Sequence, residues 1–287
     1  MKTTITKIVG FLINSTASIF PNWNGQVAFK LLCKVQRGGV SERGRRFLAT
    51  SQKKYLKVDG HNAVLHCWGN GPKKVLFLHG WMSNSQRWQP YISQLDTEQY
   101  SVYALDAPGH GLATGNHLNV EIYRQALVQT VEQTGPLDTL VCHSLGSLVA
   151  AYAFLYNNSL PINKYVIMGS PSGMDAIFTY FQELLGLSAK AIDNLDSVVN
   201  SVLRLPHHEI NIANFFNFVK KPVLVIHDTA DTITPISPIK KAIKQHDLLE
   251  TFFTSNLKHD LKSEEVYERV IEFIIRKEKL NKIATAV

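Results

Sequence analysis

Between Lys74 and Ile275 the sequence alternates between two hydrophobic periods, and that alternation leaves few architectures open. Short apolar runs read as buried strands at Lys74–Leu78, Tyr100–Leu105, Leu137–Cys142, Tyr165–Gly169, Pro222–His227 and Glu250–Thr254. Helical spacing separates them at Ser83–Leu95, Val120–Gln133, Leu145–Tyr156, Ile239–Gln245 and Glu264–Ile275. The first of these helices opens with Ser83-x-x-Gln86, a capping-box pattern. Strand and helix in regular alternation predict an α/β fold, a parallel sheet with helices on both faces and right-handed crossovers. Reactive groups are then expected at the carboxyl ends of the strands. Two earlier strands, Lys54–Val58 and Ala63–Trp68, flank the hairpin signal Asp59-Gly60.

Residues 173–219 interrupt the alternation with a helical pattern that includes Phe178, Phe181, Leu195 and Phe215. A structureless loop of that length is unusual, so this insertion is expected to be a helical cap or lid. The expected organisation is a basic N-terminal helical arm over 1–53, a core over 54–172 and 220–287, and the cap between. With 45% hydrophobic and 18% charged residues, 287 residues suffice for one large core plus such an insertion. Residues 22–50 read as a helical connection broken at Gly38-Gly39.

Charge is unevenly placed. Residues 1–57 hold eleven Lys and Arg against Glu42 alone, a charge of +10, which leaves −3 on the remaining 230. The arm lacks interleaved aromatics and any DNA-reading motif, so no nucleic-acid partner is expected. Apolar residues at Ile5, Ile8, Val9, Leu12, Ile19 and Phe20 follow helical spacing. That spacing favours an amphipathic helix docked on the domain, with weak contact to a membrane surface as the alternative, over a cleaved signal peptide. Cys33, Cys67 and Cys142 are too few and too scattered for a disulfide framework and read as reduced thiols of a cytoplasmic protein. No metal site is expected, because neither H-E-x-x-H nor paired cysteine spacing occurs, and His207-His208 reads as surface. Gly69-Asn70-Gly71-Pro72 lacks the Gly-Lys-Ser/Thr of a phosphate loop.

The chemistry is expected at Cys142-His143-Ser144-Leu145-Gly146, where an apolar run passes through a serine into a small-residue helix. A strand-turn-helix of this kind lifts the serine hydroxyl clear of the sheet, provided that the positions two before and two after it are small. The plainer alternative is a helix start capped by serine. A serine nucleophile needs a base, and the base needs an acid to orient it. Asp231, in the loop after the strand ending at His227 and four residues before Pro235, is the chosen acid, with Asp228 second. His259, between the last strand and the last helix, is the base; His246, at a helical end, reads as surface. Oxyanion donors are expected from the N–H groups of Leu145 and of Trp81, the latter after His79-Gly80. Asp106-Ala107-Pro108-Gly109-His110-Gly111 reads as a rigid structural turn.

Taken in order, His79-Gly80-Trp81, Asp106 to Gly111, Cys142 to Gly146, Asp231-x-x-x-Pro235 and His259 resemble the α/β-hydrolase superfamily over roughly residues 54–278. The resemblance is greatest to bacterial members with a small helical cap. It implies a mostly parallel eight-stranded sheet and a cofactor-independent Ser144-Asp231-His259 triad. Cys142 stands where such proteins usually have glycine, and Lys258 where glycine commonly precedes the histidine. The expected activity is hydrolysis of small to medium apolar acyl esters through an acyl-enzyme, with His143, Phe178 and Phe181 in the substrate pocket. Thioester, amide or carbon–carbon bond cleavage by the same triad is the alternative, as is a non-catalytic binding module that kept the fold.

Overall fold

The computed structural model describes residues 2–243 and 249–276. Gln245, the expected end of one helix, and His246 lie outside them. Eight strands form one sheet: β1 (Gln52–Val58), β2 (His61–Trp68), β3 (Lys73–Leu78), β4 (Tyr100–Asp106), β5 (Leu137–His143), β6 (Ile162–Met168), β7 (Val223–Asp228) and β8 (Leu249–Thr254). Their spatial order is β1-β2-β4-β3-β5-β6-β7-β8, antiparallel at β1/β2 and β2/β4 and parallel from β4 through β8. The β1–β2 turn is the expected one, with Asp59 and Gly60 both at positive φ (48° and 74°), as a two-residue hairpin loop requires.

The period of two divides each central strand between two cores. Leu76, Leu78, Leu140, Cys142, Val223 and Val225 face one side of the sheet; Val75, Phe77, Val141, Leu224 and Ile226 face the other. A sheet buried on both faces explains why these strands read as continuous apolar runs. The first side is covered chiefly by α5 (Val120–Thr134) and α6 (Leu145–Tyr156). The second is covered by α3 (Glu42–Ala49), α4 (Gln89–Ile92) and α11 (Glu264–Ile275).

Two local expectations are corrected. Ser83–Leu95 is not one helix but a 3-10 turn (Ser85–Trp88) followed by the single turn α4. Asn84, not Ser83, caps the turn by accepting from Gln86 N at 3.1 Å, while the Gln86 side chain turns to the arm and accepts from Ser41 N at 2.9 Å. Strand β6 begins at Ile162, three residues before the expected start, because Lys164 is a polar residue inside the strand. Its buried ammonium donates to the carbonyls of Phe273, Ile274 and Arg276 at 3.0–3.2 Å, where α11 ends.

Between β6 and β7 lie α7 (Met174–Leu185), α8 (Ala189–Val202) and α9 (Ile212–Phe218); α10 (Ile236–Ile243) follows β7. The N-terminal helices α1 (Lys2–Thr16) and α2 (Pro21–Leu32) pack on α7 and α8. Backbones meet closely there: a Cβ at Gly10 would lie 1.8 Å from Leu185 O, and one at Gly25 would lie 2.3 Å from Asn194 O. Buried asparagines pin the contact. Asn194 Nδ2 donates to Ala17 O (2.8 Å) and Asn24 Oδ1 (3.0 Å), and Asn24 Nδ2 donates to Ile13 O (2.7 Å). Asn14 donates to Gly186 O (2.9 Å) and accepts from Ser188 N (2.8 Å).

Candidate active site

Ser144 sits between β5 and α6 with φ 52° and ψ −121°, a backbone conformation that non-glycine residues rarely adopt. Its N–H donates to Met168 O at 2.8 Å on the neighbouring strand, which holds the turn closed. The two small positions around it are not equivalent. A Cβ at Gly146 would meet Leu78 O at 2.6 Å and His79 O at 2.8 Å, both backbone atoms, so only glycine fits. Cys142 is the penultimate residue of β5, with its side chain fully buried in the core, so the turn tolerates a side chain there. Burial pushes the Cys142 thiol well above its usual range, which keeps it unreactive.

From Ser144 a line of hydrogen bonds runs inward. Ser144 Oγ lies 2.9 Å from His259 Nε2, and His259 Nδ1 lies 2.8 Å from Asp231 Oδ2. An Nδ1–H that donates to the carboxylate leaves Nε2 free to accept the serine proton. Asp231 is held from several sides: Ile233 N (2.9 Å) and Thr234 N (3.0 Å) donate to Oδ1, and Thr234 Oγ1 donates to Oδ2 (2.8 Å). Burial alone would raise its pKa, but the hydrogen bonds from His259 and Thr234 outweigh it and bring it down to about 2. Asp228, the second candidate, does something else. It accepts from Ala230 N, Thr254 Oγ1 and Leu257 N at 2.7–2.9 Å and so ties the ends of β7 and β8 together.

His259 occupies a 3-10 turn, Lys258–Asp260, whose first residue, Lys258, has φ 55°. A glycine would adopt that conformation freely; for lysine it costs on the order of 1–2 kcal/mol. His143 supports the turn from beneath: its Nε2 donates to His259 O at 2.8 Å, and the two rings lie 4.9 Å apart. Burial, together with the nearby charge of Arg87, drives His143 well below the usual imidazole range, so it is neutral.

On the other side of Ser144, the loop after β3 comes so close that a Cβ at Gly80 would lie 2.7 Å from Ser144 Cβ. Histidines shape that loop. His79 Nδ1 donates to Gly80 O (2.7 Å), and His110 Nε2 accepts from Met82 N (3.2 Å), which steadies Met82 at φ 57°. Burial depresses both imidazoles, His110 to about 3. Among the described residues, neither Trp81 N–H nor Leu145 N–H donates to another protein group. The Asp106 carboxylate is buried and accepts from Ser85 N, Leu112 N and His66 Nε2 at 2.7–3.2 Å, which makes its loop a structural turn.

A cleft of about 590 Å³ opens over Ser144, within the range of small-molecule sites. His143, Ser144 and His259 line its floor; Trp81, Met82, Arg87, Tyr267 and Lys262 contribute walls, and Gly39 to Gly44 of the arm closes one side. Phe178 and Phe181 do not line it, which corrects their assignment to the substrate pocket. Both point into the helical layer and are buried, Phe178 with its ring 5.0 Å from that of His207. Helical spacing marks them as buried residues but carries no sign of which surface they bury against. His143, expected in the pocket, does line it and also supports His259. The supporting residues Thr234 and Arg87 were missed because they belong to no spaced motif. Arg87 is a cation with no carboxylate within ion-pair distance among the described residues; its Nη2 donates to Asp260 O at 3.1 Å.

With that geometry in place, the family signature described as the alpha/beta hydrolase family matches residues 75–238. The chain belongs to the alpha/beta hydrolase family. Over 108 residues it is 31% identical to the pimeloyl-[acyl-carrier protein] methyl ester esterase of Edwardsiella ictaluri, 37% of this chain and 40% of that protein. Three of the curated relatives it matches are covered over only 28% to 54% of their length. Among solved structures, an esterase from Rhodococcus superposes with a TM-score of 0.56 at 17% identity, covering 78% of this chain and 98% of that one. A bacterial membrane phospholipase A superposes with a TM-score of 0.59 at 15% identity, covering 96% of this chain and 98% of that one, so this match takes in the N-terminal helices. Esterase-type hydrolases thus recur among the family's matching members.

Proposed function

We propose that this alpha/beta hydrolase is a serine carboxylesterase that works through an acyl-enzyme. The observation that carries the proposal is the unbroken line Ser144 Oγ–His259–Asp231, with 2.9 Å and 2.8 Å steps, at the floor of an accessible cleft. Ser144 attacks the ester carbonyl as His259 Nε2 takes its proton, and Asp231 stabilises the imidazolium that forms. The N–H groups of Trp81 and Leu145, which have no competing acceptor among the described residues, hold the developing oxyanion. His259 then protonates the departing alcohol, and a water activated by the same ring releases the acid. Arg43 and Arg87 on the cleft wall favour esters that carry a negative charge away from the scissile carbonyl, Lys262 being paired there with Asp260 at 3.2 Å, while Trp81 and Met82 offer apolar contact.

The test is labelling with a fluorophosphonate. The wild type is expected to gain one adduct, and Ser144→Ala none. A wild type that stays unlabelled while folded would overturn the proposal in favour of a binding module. Among labelled enzymes, a carboxylate-bearing ester is expected to be preferred over its neutral counterpart several-fold at low ionic strength, with the preference shrinking as salt rises.

A further inference from the structure

We propose that the outer face of α1 and the start of α2 form a docking surface for an anionic lipid bilayer. Helix α1 is apolar on both sides. Its inner face, Val9, Gly10 and Ile13, packs on the protein, as does Ala17 just past its end. Its outer face carries Ile5, Ile8, Phe11 and Leu12, each 54–69% exposed, at i, i+3, i+6 and i+7. The turn into α2 continues the surface with Ile19, Phe20 and Trp23, each 57–67% exposed. Seven large apolar side chains exposed within nineteen residues exceed what scattered surface hydrophobes account for; patches of this kind mark protein or membrane contact.

Charge selects the lipid. Residues 1–41 contain no Asp or Glu. On the exposed face of α2, Trp23 is followed at i+3 and i+7 by Gln26 and Lys30, and exposed Lys34 lies just past the helix. An apolar tip with an indole at its margin and a cationic rim matches the layering of acyl chains, interface and anionic headgroups. Among the described residues no helix is long and apolar enough to cross a membrane, so α1 lies on the surface. The docking element is no loose tail. Asn14 and the Asn24–Asn194 pair fasten it to α7 and α8, so a bilayer that holds α1 also holds the helices over the core.

Co-sedimentation with vesicles of phosphatidylcholine mixed equally with phosphatidylglycerol, and with phosphatidylcholine alone, tests this. The full chain is expected to bind the anionic vesicles more than tenfold better. Phe11→Asp/Phe20→Asp should abolish binding to both, and Lys30→Glu/Lys34→Glu should erase only the anionic preference. Both variants should keep wild-type thermal stability and cleavage of a water-soluble ester, since the altered side chains are exposed. Vesicle binding untouched by either pair of changes would overturn the proposal. So would no vesicle binding together with a concentration-dependent dimer that Phe11→Asp/Phe20→Asp abolishes, which would assign the face to a second copy of this chain.

Discussion

The carboxyl rim of the sheet and the helical layer that carries α1, α2, α7 and α8 are organised by different forces. At the rim, backbone strain and hydrogen bonds hold a few polar groups in place, while the apolar strands behind them supply the stability. In the helical layer the reverse holds: small residues and buried asparagines set the contact, and much of the apolar surface is left facing outward. Function concentrated at the rim should therefore be separable from stability, whereas in the helical layer single polar side chains should matter to stability itself.

The sharpest version of that contrast is Ser144→Ala. Removing one hydroxyl from the rim is expected to lower kcat for ester hydrolysis by about four to six orders of magnitude. Thermal stability should be unchanged or slightly raised, because the strained φ of 52° remains but no buried partner is orphaned. Steady-state kinetics beside a melting curve would read both. A loss of activity matched by a large fall in Tm would break the comparison.

Asn194→Ala is the converse in the helical layer. It leaves Ala17 O and Asn24 Oδ1 without their donor in a buried contact. Each orphaned acceptor costs about 1–3 kcal/mol, so a loss of roughly 2–4 kcal/mol in urea unfolding is expected. kcat should stay within a few-fold of wild type, since the residues lining the cleft over Ser144 include none from α1, α2, α7 or α8. These two regions also differ in how far the sequence disclosed them. The strands, the parallel sheet and the grouping of Ser144, Asp231 and His259 in one place follow from the period of two and from position at strand ends. The docking of the arm on α7 and α8 does not. Its determinants are Gly10, Gly25 and three asparagines, residues that ordinarily read as breaks or surface, and apolar spacing pointed mostly to residues that face outward, Ile5, Ile8, Leu12, Ile19 and Phe20, with Val9 turned inward. Phe178 and Phe181 failed as pocket residues for the same reason.

The buried histidines give the rim a pH signature. His110 is fully buried with a pKa lowered to about 3, against about 6.5 in an unfolded chain. A depressed base favours folding only while neutral. Its contribution is complete above about pH 6.5 and is lost progressively as pH falls toward 3, at up to about 1.4 kcal/mol per pH unit. His79, His143 and His227 shift in the same direction, so acid should destabilise this protein across that window. His110→Asn can keep an acceptor for Met82 N and removes one of the four protons taken up. Its stability should fall less steeply between pH 6.5 and 4, measured by denaturant titration at each pH. An unchanged slope would mean that the loop opens before His110 titrates.

The smallest effect is expected at Cys142, and it sharpens the contrast within the rim itself. The side chain is buried in the core face of β5, opposite in role to Gly146, where backbone carbonyls leave no room. Cys142→Ala removes one sulfur from a packed environment, a change worth about 1 kcal/mol. It should leave the backbone at Ser144 alone, because the Cβ is retained and Ser144 N still bonds Met168 O. Rates of fluorophosphonate labelling within about twofold of wild type would show that the first small position of the turn answers to packing and only the second to the geometry of the nucleophile. A large loss of labelling in a stably folded Cys142→Ala would instead tie the sulfur to the placement of Ser144, and the two positions would have to be treated as one constraint.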